Sequence, residues 1–302
     1  MIESDLLRHI RRQTRDLTAR WPQVLVGPGD DCAAVGLDPS QSISLLTVDH
    51  LVEGRHFASG TPIDLIARKA VARSISDIAA MAGAPQWSLA TGLLPKDYPH
   101  ARELTDALHR WAAHWSAPLV GGDLATSPAG TPLVLTVTIG GRPHTHRGPV
   151  LRSGAKPGDE LWMTGSLGGS LASGRHLTFE PRIADAQWLC DTLGDNLHAM
   201  IDLSDGLGRD AARMADMSGV RFEIDASALP LHRGICDLLA ALGDGEDYEL
   251  CFAAAPSTLN AKSTATGTPL TRIGRAVAGQ GCIALIDGRT VDICTLGWDH
   301  GQ

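Results

Sequence analysis

Carboxylates recur at short turns along the chain, each beside a small residue. Most of these turns lie where a predicted strand ends or a loop opens, which is where ligand sites form in α/β sheets. Mg²⁺ takes oxygen ligands, and carboxylates that converge from separate elements can clamp it on a polyphosphate. The sequence therefore predicts a site for several Mg²⁺ ions. The acids are Asp30 and Asp31 in "GDD", Asp49 in "TVD", Asp77 in "SISD", Asp123 in "GGD", and Asp202 and Asp205 in "DLSDG".

Each turn also has an ordinary interpretation when it is taken alone. "DLSDG" before a helix could be only an N-cap, because Asp and Ser accept hydrogen bonds from the first free N–H groups. Asp77 follows Arg73 by four residues, a spacing typical of a surface ion pair on a helix. "GDD" and "GGD" could be plain turns. The coincidence of all five motifs favours a ligand site.

The elements that must position these acids alternate between strand and helix. Apolar runs predict strands at 42–49, 88–95, 131–141 and 160–166, and periodic segments predict helices at 61–85, 100–115 and 206–218. Between the two halves, residues 142–159 are polar and rich in Gly and Pro. This order predicts an α/β (α+β) protein with two domains, at 1–146 and 147–302.

Composition limits the classes of function. The 302 residues carry a net charge of −8 and no basic stripe, which argues against a nucleic-acid partner. No apolar run reaches the roughly 18 residues of a membrane span, and the N-terminus lacks the apolar region of a signal peptide. The six cysteines form no CxxC pair, as in reduced proteins. We expect a cytoplasmic protein.

Familiar nucleotide-binding and hydrolase patterns are missing from the sequence. It contains no GxxxxGK[ST] phosphate loop and no GxSxG turn. The glycine turn "GSLGGS" at 165–170 lacks the GxGxxG spacing of a dinucleotide fold. An acidic protein that binds phosphates without these loops needs cations.

Eight short motifs in a fixed order resemble those of thiamine-monophosphate kinases, within the superfamily that includes aminoimidazole ribonucleotide synthetase. The resemblance runs from about residue 20 to residue 300. The motifs are "GPGDDCA", "TVDHLVEGRHF", "KAVARSISDIAAMAGAP", "VGGDL", "RSGAKPGDELWMTGSLG", "MIDLSDGL", "GEDYEL" and the final "GWDH".

The resemblance implies a two-domain fold of mixed sheets flanked by helices. It implies an N-terminal Mg/ATP-binding domain that also forms a homodimer, and a C-terminal domain that completes the nucleotide and substrate site. The implied reaction is ATP + thiamine phosphate → ADP + thiamine diphosphate, the last step of thiamine diphosphate biosynthesis, with several Mg²⁺ ions and no general base.

Site residues follow from the matching motif positions. The implied metal ligands are Asp30, Asp31, Thr47, Val48, Asp49, Asp77, Asp123, Asp202 and Asp205. The implied ATP contacts are Gly122, Asp123, Arg152 and Ser204. The implied substrate contacts are His56, Glu246, Asp247 and Trp298, with Glu246 and Asp247 as alternatives for one acidic partner. Of the two neighbouring acids, Asp31 is favoured as the ligand by its place in the motif, while Asp30 could cap the loop.

The sequence departs from the family pattern at three positions. Val48 stands where a hydroxyl residue is usual, so only its backbone carbonyl could bind metal. Asp244 replaces the first glycine of the usual G-G-E-D-Y-E motif, which puts the geometry of that turn in doubt. Trp298 replaces Tyr or Phe in the last motif and keeps an aromatic face. A packed C-terminal anchor is the ordinary alternative for Trp298.

The chemistry of the implied substrates fits these residues. A phosphate monoester is largely a dianion at neutral pH, because its second pKa is near ~6, so it can attack without a base. Each pair of unit charges at ~4 Å repels by ~4 kcal/mol at an effective dielectric of ~20, so several cations are needed.

Two other functions remain open, namely aminoimidazole ribonucleotide synthesis and a non-catalytic module that binds nucleotide or Mg²⁺.

Overall fold

The computed structural model describes residues 8–10, 12–36 and 43–299, which build two mixed β-sheets with helices packed against them. The strands are β1 Val24–Val26, β2 Ala33–Gly36, β3 Ile43–Val52, β4 Ala84–Pro95, β5 Leu119–Ser127, β6 Val134–Arg142, β7 Glu160–Thr164, β8 Leu197–Asp202, β9 Val220–Asp225, β10 Leu250–Ala254, β11 Leu270–Ala278, β12 Gly281–Ile286 and β13 Arg289–Asp292. The helices are α1 Leu17–Arg20, α2 Ile63–Ala80, α3 Ala101–His114, α4 Ser170–Ser173, α5 Ile183–Leu193, α6 Leu207–Ser218 and α7 Leu238–Gly243. Among the described helices, none has the length and apolar character needed to cross a bilayer.

The first sheet has the order β1-β2-β3-β6-β4-β5, with one parallel pair, β4 and β5, at its edge. Strand alternation sorts the side chains of β3 onto two faces. Leu45 and Thr47 are buried toward α2, whereas the side chain of Val48 is 59% exposed on the outer face. Only the motif residues on the face of β3 that is packed against α2 can therefore contact the residues of that helix.

Helix α2 is buried along most of its length and supplies much of the core. It begins after Pro62 with Asp64 in its first turn, as the sequence predicts. Its end is set by Gly83, where a Cβ atom would lie 2.6 Å from Leu45 and 2.9 Å from the carbonyl of Ile78. The predicted helix at 61–85 is therefore right in kind and five residues too long at its C-terminal end.

The second sheet has the order β13-β12-β9-β11-β7-β10-β8. All of its pairs are antiparallel except β9 with β12. Helix α6 packs on this sheet, where Phe222, Ile224 and Ile273 are fully or almost fully buried. The predicted mixed sheets with flanking helices are confirmed.

The two halves are joined by a shared core as well as by the chain. α2 contacts α5 and β8, and Ala80, Val150 and Met200 lie in one buried cluster. The segment 142–159, predicted as a polar connection, thus contributes a buried side chain at Val150. The guanidinium of Arg68 lies 5.2 Å from the Trp111 ring and 3.0 Å from a carboxylate oxygen of Glu180. The assignment of domains to 1–146 and 147–302 stays a prediction.

Candidate active site

Three carboxylates from three separate elements meet between the halves. Asp31 lies in the loop before β2, Asp77 in the last turn of α2, and Asp202 at the end of β8. One carboxylate oxygen from each lies within 4.8 Å of the others, and the three side chains are largely buried. Asp202, which is more than a hundred positions from the other two along the chain, thus joins them in one acidic cluster.

Hydroxyl groups orient two of these carboxylates. Thr47 on β3 donates a short hydrogen bond to Asp77. Ser76 on α2 donates to Asp202 at 2.6 Å. These bonds fix carboxylate oxygens that would otherwise rotate.

The cluster disfavours its own ionisation. Burial raises the pKa of Asp77 well above its usual range, and the charges of Asp49 and Asp202 add to the effect. Burial, followed by the charge of Asp31, does the same to the pKa of Asp202. Neighbouring carboxylates that are buried in this way are stabilised when they bind a proton or a cation. The donor set of buried carboxylates fits a hard, oxygen-seeking cation such as Mg²⁺.

Asp30 and Asp31 have different surroundings. Asp31 receives two hydrogen bonds from the guanidinium of Arg152, at 2.9 and 2.6 Å. Asp30 accepts the backbone N–H groups of Arg152 at 3.2 Å and of Asp31 at 3.1 Å. Burial and the neighbouring Asp31 charge raise the pKa of Asp30 to about 6. Asp30 therefore caps the loop, while Asp31 faces the cluster.

Asp49 and Asp205 flank the cluster, each beside an arginine. Asp49 lies on the same face of β3 as Thr47, with its carboxylate 3.7 Å from Arg73. Asp205 precedes α6 and lies 2.5 Å from Arg213. Both carboxylates are thus partly neutralised by the chain itself.

Gly122 and Asp123 are not brought to the cluster within one chain. Asp123 on β5 aligns through β4 and β6 with His50 on β3. Since neighbouring strands are 4.7–4.9 Å apart, it lies about 14 Å from β3. It also faces the side of the sheet opposite to Asp49. A cavity of about 500 Å³ along β5 includes both Gly122 and Asp123.

A second cavity, of about 270 Å³, gathers most of the residues implied to bind substrate. We call it the substrate pocket. Five of its lining residues are implied by motif, namely His56, Ser204, Asp205, Glu246 and Trp298. Six others were not singled out from the sequence as pocket residues, namely Arg55, Arg73, Leu171, Gly243, Asp244 and Gly245. The Trp298 ring is 44% exposed, and the guanidinium of Arg55 lies 5.3 Å from its centroid.

Glu246 and Asp247 take separate roles. Glu246 lines the pocket, whereas Asp247 accepts the Gly168 N–H at 3.2 Å and lies 3.5 Å from Arg175. Burial raises the pKa of Asp247 to about 7. The geometry favours Glu246 as the acid presented to a ligand.

The "DGEDYE" turn tolerates Asp244 because the backbone at that residue has a negative φ, which any residue can adopt. Its φ is −62°, and its carboxylate accepts the Gly169 N–H at 2.7 Å. Left-handed backbone occurs instead at Glu246 (φ 66°) and Tyr248 (φ 52°). Such strain in non-glycine residues is typical of functional sites.

A lysine that the sequence reasoning missed holds Glu246 in place. Lys69 on α2 has 0% exposure, and its ammonium donates to the His56 carbonyl at 2.6 Å and to the Glu246 carboxylate. His176 Nδ1 lies 2.7 Å from the same nitrogen. Burial alone would raise the pKa of Glu246, but the His176 hydrogen bond and the Lys69 charge lower it to about 2. The available signal was a lysine inside an apolar helical run.

The chain is similar to known proteins in both sequence and fold. The family model described as AIR synthase related protein, N-terminal domain, matches residues 29–142, and the one for the C-terminal domain matches residues 156–287. Thiamine-monophosphate kinase of Rhodopirellula baltica is 37% identical over 93% of this chain and 91% of its own. That of Salmonella typhimurium is 36% identical over 92% of each. A solved structure described as AaThiL complexed with AMPPCP and TMP has a TM-score of 0.79 at 29% identity, covering 96% of this chain and 95% of its own.

Proposed function

The chain belongs to the thiamine-monophosphate kinases of the AIR synthase related family, and we propose that it transfers the γ-phosphoryl group of ATP to thiamine phosphate, giving ADP and thiamine diphosphate. The predicted two-domain fold of that family is confirmed by the matches in both halves. One observation carries the proposal within the molecule. Arg73 connects the two sites, because it lines the substrate pocket and lies 3.7 Å from Asp49, the acid that flanks the acidic cluster.

We assign the binding of Mg²⁺ to the acidic cluster of Asp31, Asp77 and Asp202. Mg²⁺, when bound, neutralises phosphate charge in the transition state. Side chains near the cluster extend the ligand set or orient it, namely Asp30, Thr47, Asp49 and Asp205. The Val48 side chain points away from the cluster, so its backbone carbonyl is the only group it could offer.

The chain's own groups position the two phosphates. The phosphate of the substrate is already ionised at neutral pH, so its oxygen attacks without transferring a proton to the protein. Arg152 and Ser204 are proposed ATP contacts, because Arg152 ends at the acidic cluster and Ser204 lies between that cluster and the pocket. An arginine fork matches phosphate oxygens better than a lysine does.

The pocket suits the cationic end of thiamine. Trp298 presents an aromatic face, worth roughly 0.5–2 kcal/mol to a nearby cation. Glu246 stays ionised at any working pH, since its pKa lies at about 2. His56 lies on the pocket wall, where its ring accepts the Val52 N–H at 2.9 Å and is thereby oriented.

The chain is also proposed to act as a homodimer through the first sheet. Its outer face exposes apolar side chains at Val48, Leu89 and Leu93, and contiguous apolar surface of this kind marks interfaces. Asp123 lies on the same face, so a partner there would lie beside it and Gly122. A cytoplasmic location is proposed as well, since all six cysteines are free.

The test is a direct assay. Purified protein is incubated with ATP, MgCl₂ and thiamine phosphate, and thiamine diphosphate is measured by chromatography. Product should form only with all three components present. A protein that releases ADP but forms no thiamine diphosphate at any Mg²⁺ concentration would refute the proposed acceptor.

A further inference from the structure

A buried arginine that lines the substrate pocket has hydrogen-bond donors without a partner among the described residues. Arg73 on α2 lines the pocket, and its side chain is 13% exposed. Its Nε and Nη1 atoms are buried and make no hydrogen bond with any residue that the structure describes. Its closest acid, Asp49, is 3.7 Å away, which is an ion pair but longer than a hydrogen bond.

The Tyr248 hydroxyl is a second buried polar group near Arg73. The two groups are close enough for each to affect the pKa of the other. The Tyr248 hydroxyl is buried and has no hydrogen-bond partner among the described residues. The ring is fixed by stacking on Phe179, with centroids 3.8 Å apart. Buried polar groups are nearly always paired in native proteins, so two unpaired donors together indicate a ligand.

Charge balance alone does not explain this arrangement. The charges of Asp49, Glu246 and Asp77 all act favourably on Arg73, so its cation is well compensated. Compensation of that kind normally brings direct hydrogen bonds, as Arg152 makes with Asp31. Arg73 instead lies among the acids and leaves its planar fork unused.

We propose that Arg73, assisted by the Tyr248 hydroxyl, binds the phosphate group of thiamine phosphate at the inner end of the substrate pocket. This assignment rests on the proposed kinase function and adds a residue to it. An arginine fork binds phosphate oxygens through two parallel hydrogen bonds. The phosphate then lies between the acidic cluster and Trp298, with the cationic ring toward Trp298 and Glu246.

The experiment measures binding without ATP, so that it does not depend on turnover. Dissociation constants for thiamine phosphate and for thiamine are measured by calorimetry at fixed Mg²⁺. The dissociation constant of thiamine divided by that of thiamine phosphate is the ratio that reports the contribution of the phosphate. Arg73→Gln should reduce this ratio about tenfold or more and leave thiamine binding within about twofold. Arg73→Lys should retain part of the ratio, because it keeps the charge.

The matched control is Arg68→Gln on the same helix, where the arginine packs against Trp111 and Trp115 instead of lining the pocket. It should lower the melting temperature and keep the ratio of the wild type. An unchanged ratio in Arg73→Gln, or an equal loss for both ligands, would overturn the proposal even if the wild type makes thiamine diphosphate. A wild type that binds no thiamine phosphate would overturn both this assignment and the proposed substrate.

Discussion

The guanidinium of Arg152 holds both carboxylate oxygens of Asp31, with nitrogen–oxygen distances of 2.9 and 2.6 Å. The pair connects the segment leading into the second sheet with the loop before β2. The Asp31 side chain has 0% exposure, so its charge depends on this partner. The acidic cluster is therefore assembled only when the two halves are in contact.

Removal of this partner should destabilise the protein. We expect Arg152→Gln to lower the free energy of unfolding by about 3 kcal/mol, because it leaves a buried carboxylate uncompensated. Urea unfolding at neutral pH measures the change. The double variant with Asp31→Asn should recover much of the loss, and equal losses in the single and double variants would contradict the pairing.

Asp77 should matter for turnover and not for folding. Asp77→Asn removes a carboxylate whose ionisation is disfavoured by burial, so the melting temperature should stay constant or rise. The rate of thiamine diphosphate formation should fall by more than about a hundredfold, because positioning and charge neutralisation are the main catalytic terms. The control is Asp64→Asn on the same helix, where the acid pairs with the exposed Arg110. A large loss of stability in Asp77→Asn would indicate a structural role instead.

Lys69 should couple energetically to Glu246. Lys69→Met keeps an unbranched side chain, one atom shorter, but removes the charge beside a buried carboxylate, and should cost about 3–5 kcal/mol of stability. A double-mutant cycle with Glu246→Gln should give a coupling energy of about 1–3 kcal/mol. The Michaelis constant for thiamine phosphate should rise in Lys69→Met while that for ATP changes little. Additive effects in the cycle would show that the two side chains act independently.

Asp247 should make stability depend on pH. Its folded pKa of about 7 lies above the ordinary value of 3.8, so the native state holds a proton that the unfolded chain has released between these values. Stability should fall as pH rises from about 4 to 7, by up to roughly 4 kcal/mol if the full shift is expressed. Asp247→Asn should make this slope shallower by the contribution of Asp247, while the acids of the site whose pKa values are also raised, Asp30, Asp77 and Asp202, keep theirs. Asp106→Asn, an exposed change on α3, should keep the slope of the wild type, and an equal slope in Asp247→Asn and the wild type would contradict the contribution of Asp247.

The outer face of the first sheet should mediate self-association. Leu93 is 41% exposed there, and Leu93→Asp would place a charge in the proposed interface. Light scattering with size-exclusion chromatography should show a dimer for the wild type and a smaller species for the variant. Leu285→Asp, at a leucine that is 51% exposed on the second sheet, should remain dimeric. A wild-type monomer at all concentrations would rule out the interface.

The sequence allowed the elements and the individual acids of the cluster to be singled out, because each of them is marked by a local pattern. Helix α2 was evident from its apolar period and its start at Pro62, and the acids were marked by neighbouring small residues. Lys69 and Arg73 were missed as site residues because their significance comes from Glu246 and Tyr248, which lie more than 170 positions away along the chain. The separation of Asp123 from the cluster could not be read from its motif either, because it follows from the order of strands in the sheet.

Helix α2 carries Lys69, Arg73 and Asp77 at intervals of four residues, so they lie along one side of three successive turns. Eight residues at 1.5 Å per residue separate Lys69 from Asp77 by about 12 Å along the axis. The helix thereby sets the distance from the group that anchors Glu246 to the acidic cluster. One residue inserted between them would rotate Asp77 by about 100° away from Thr47, so this stretch should admit substitutions far more readily than changes in length.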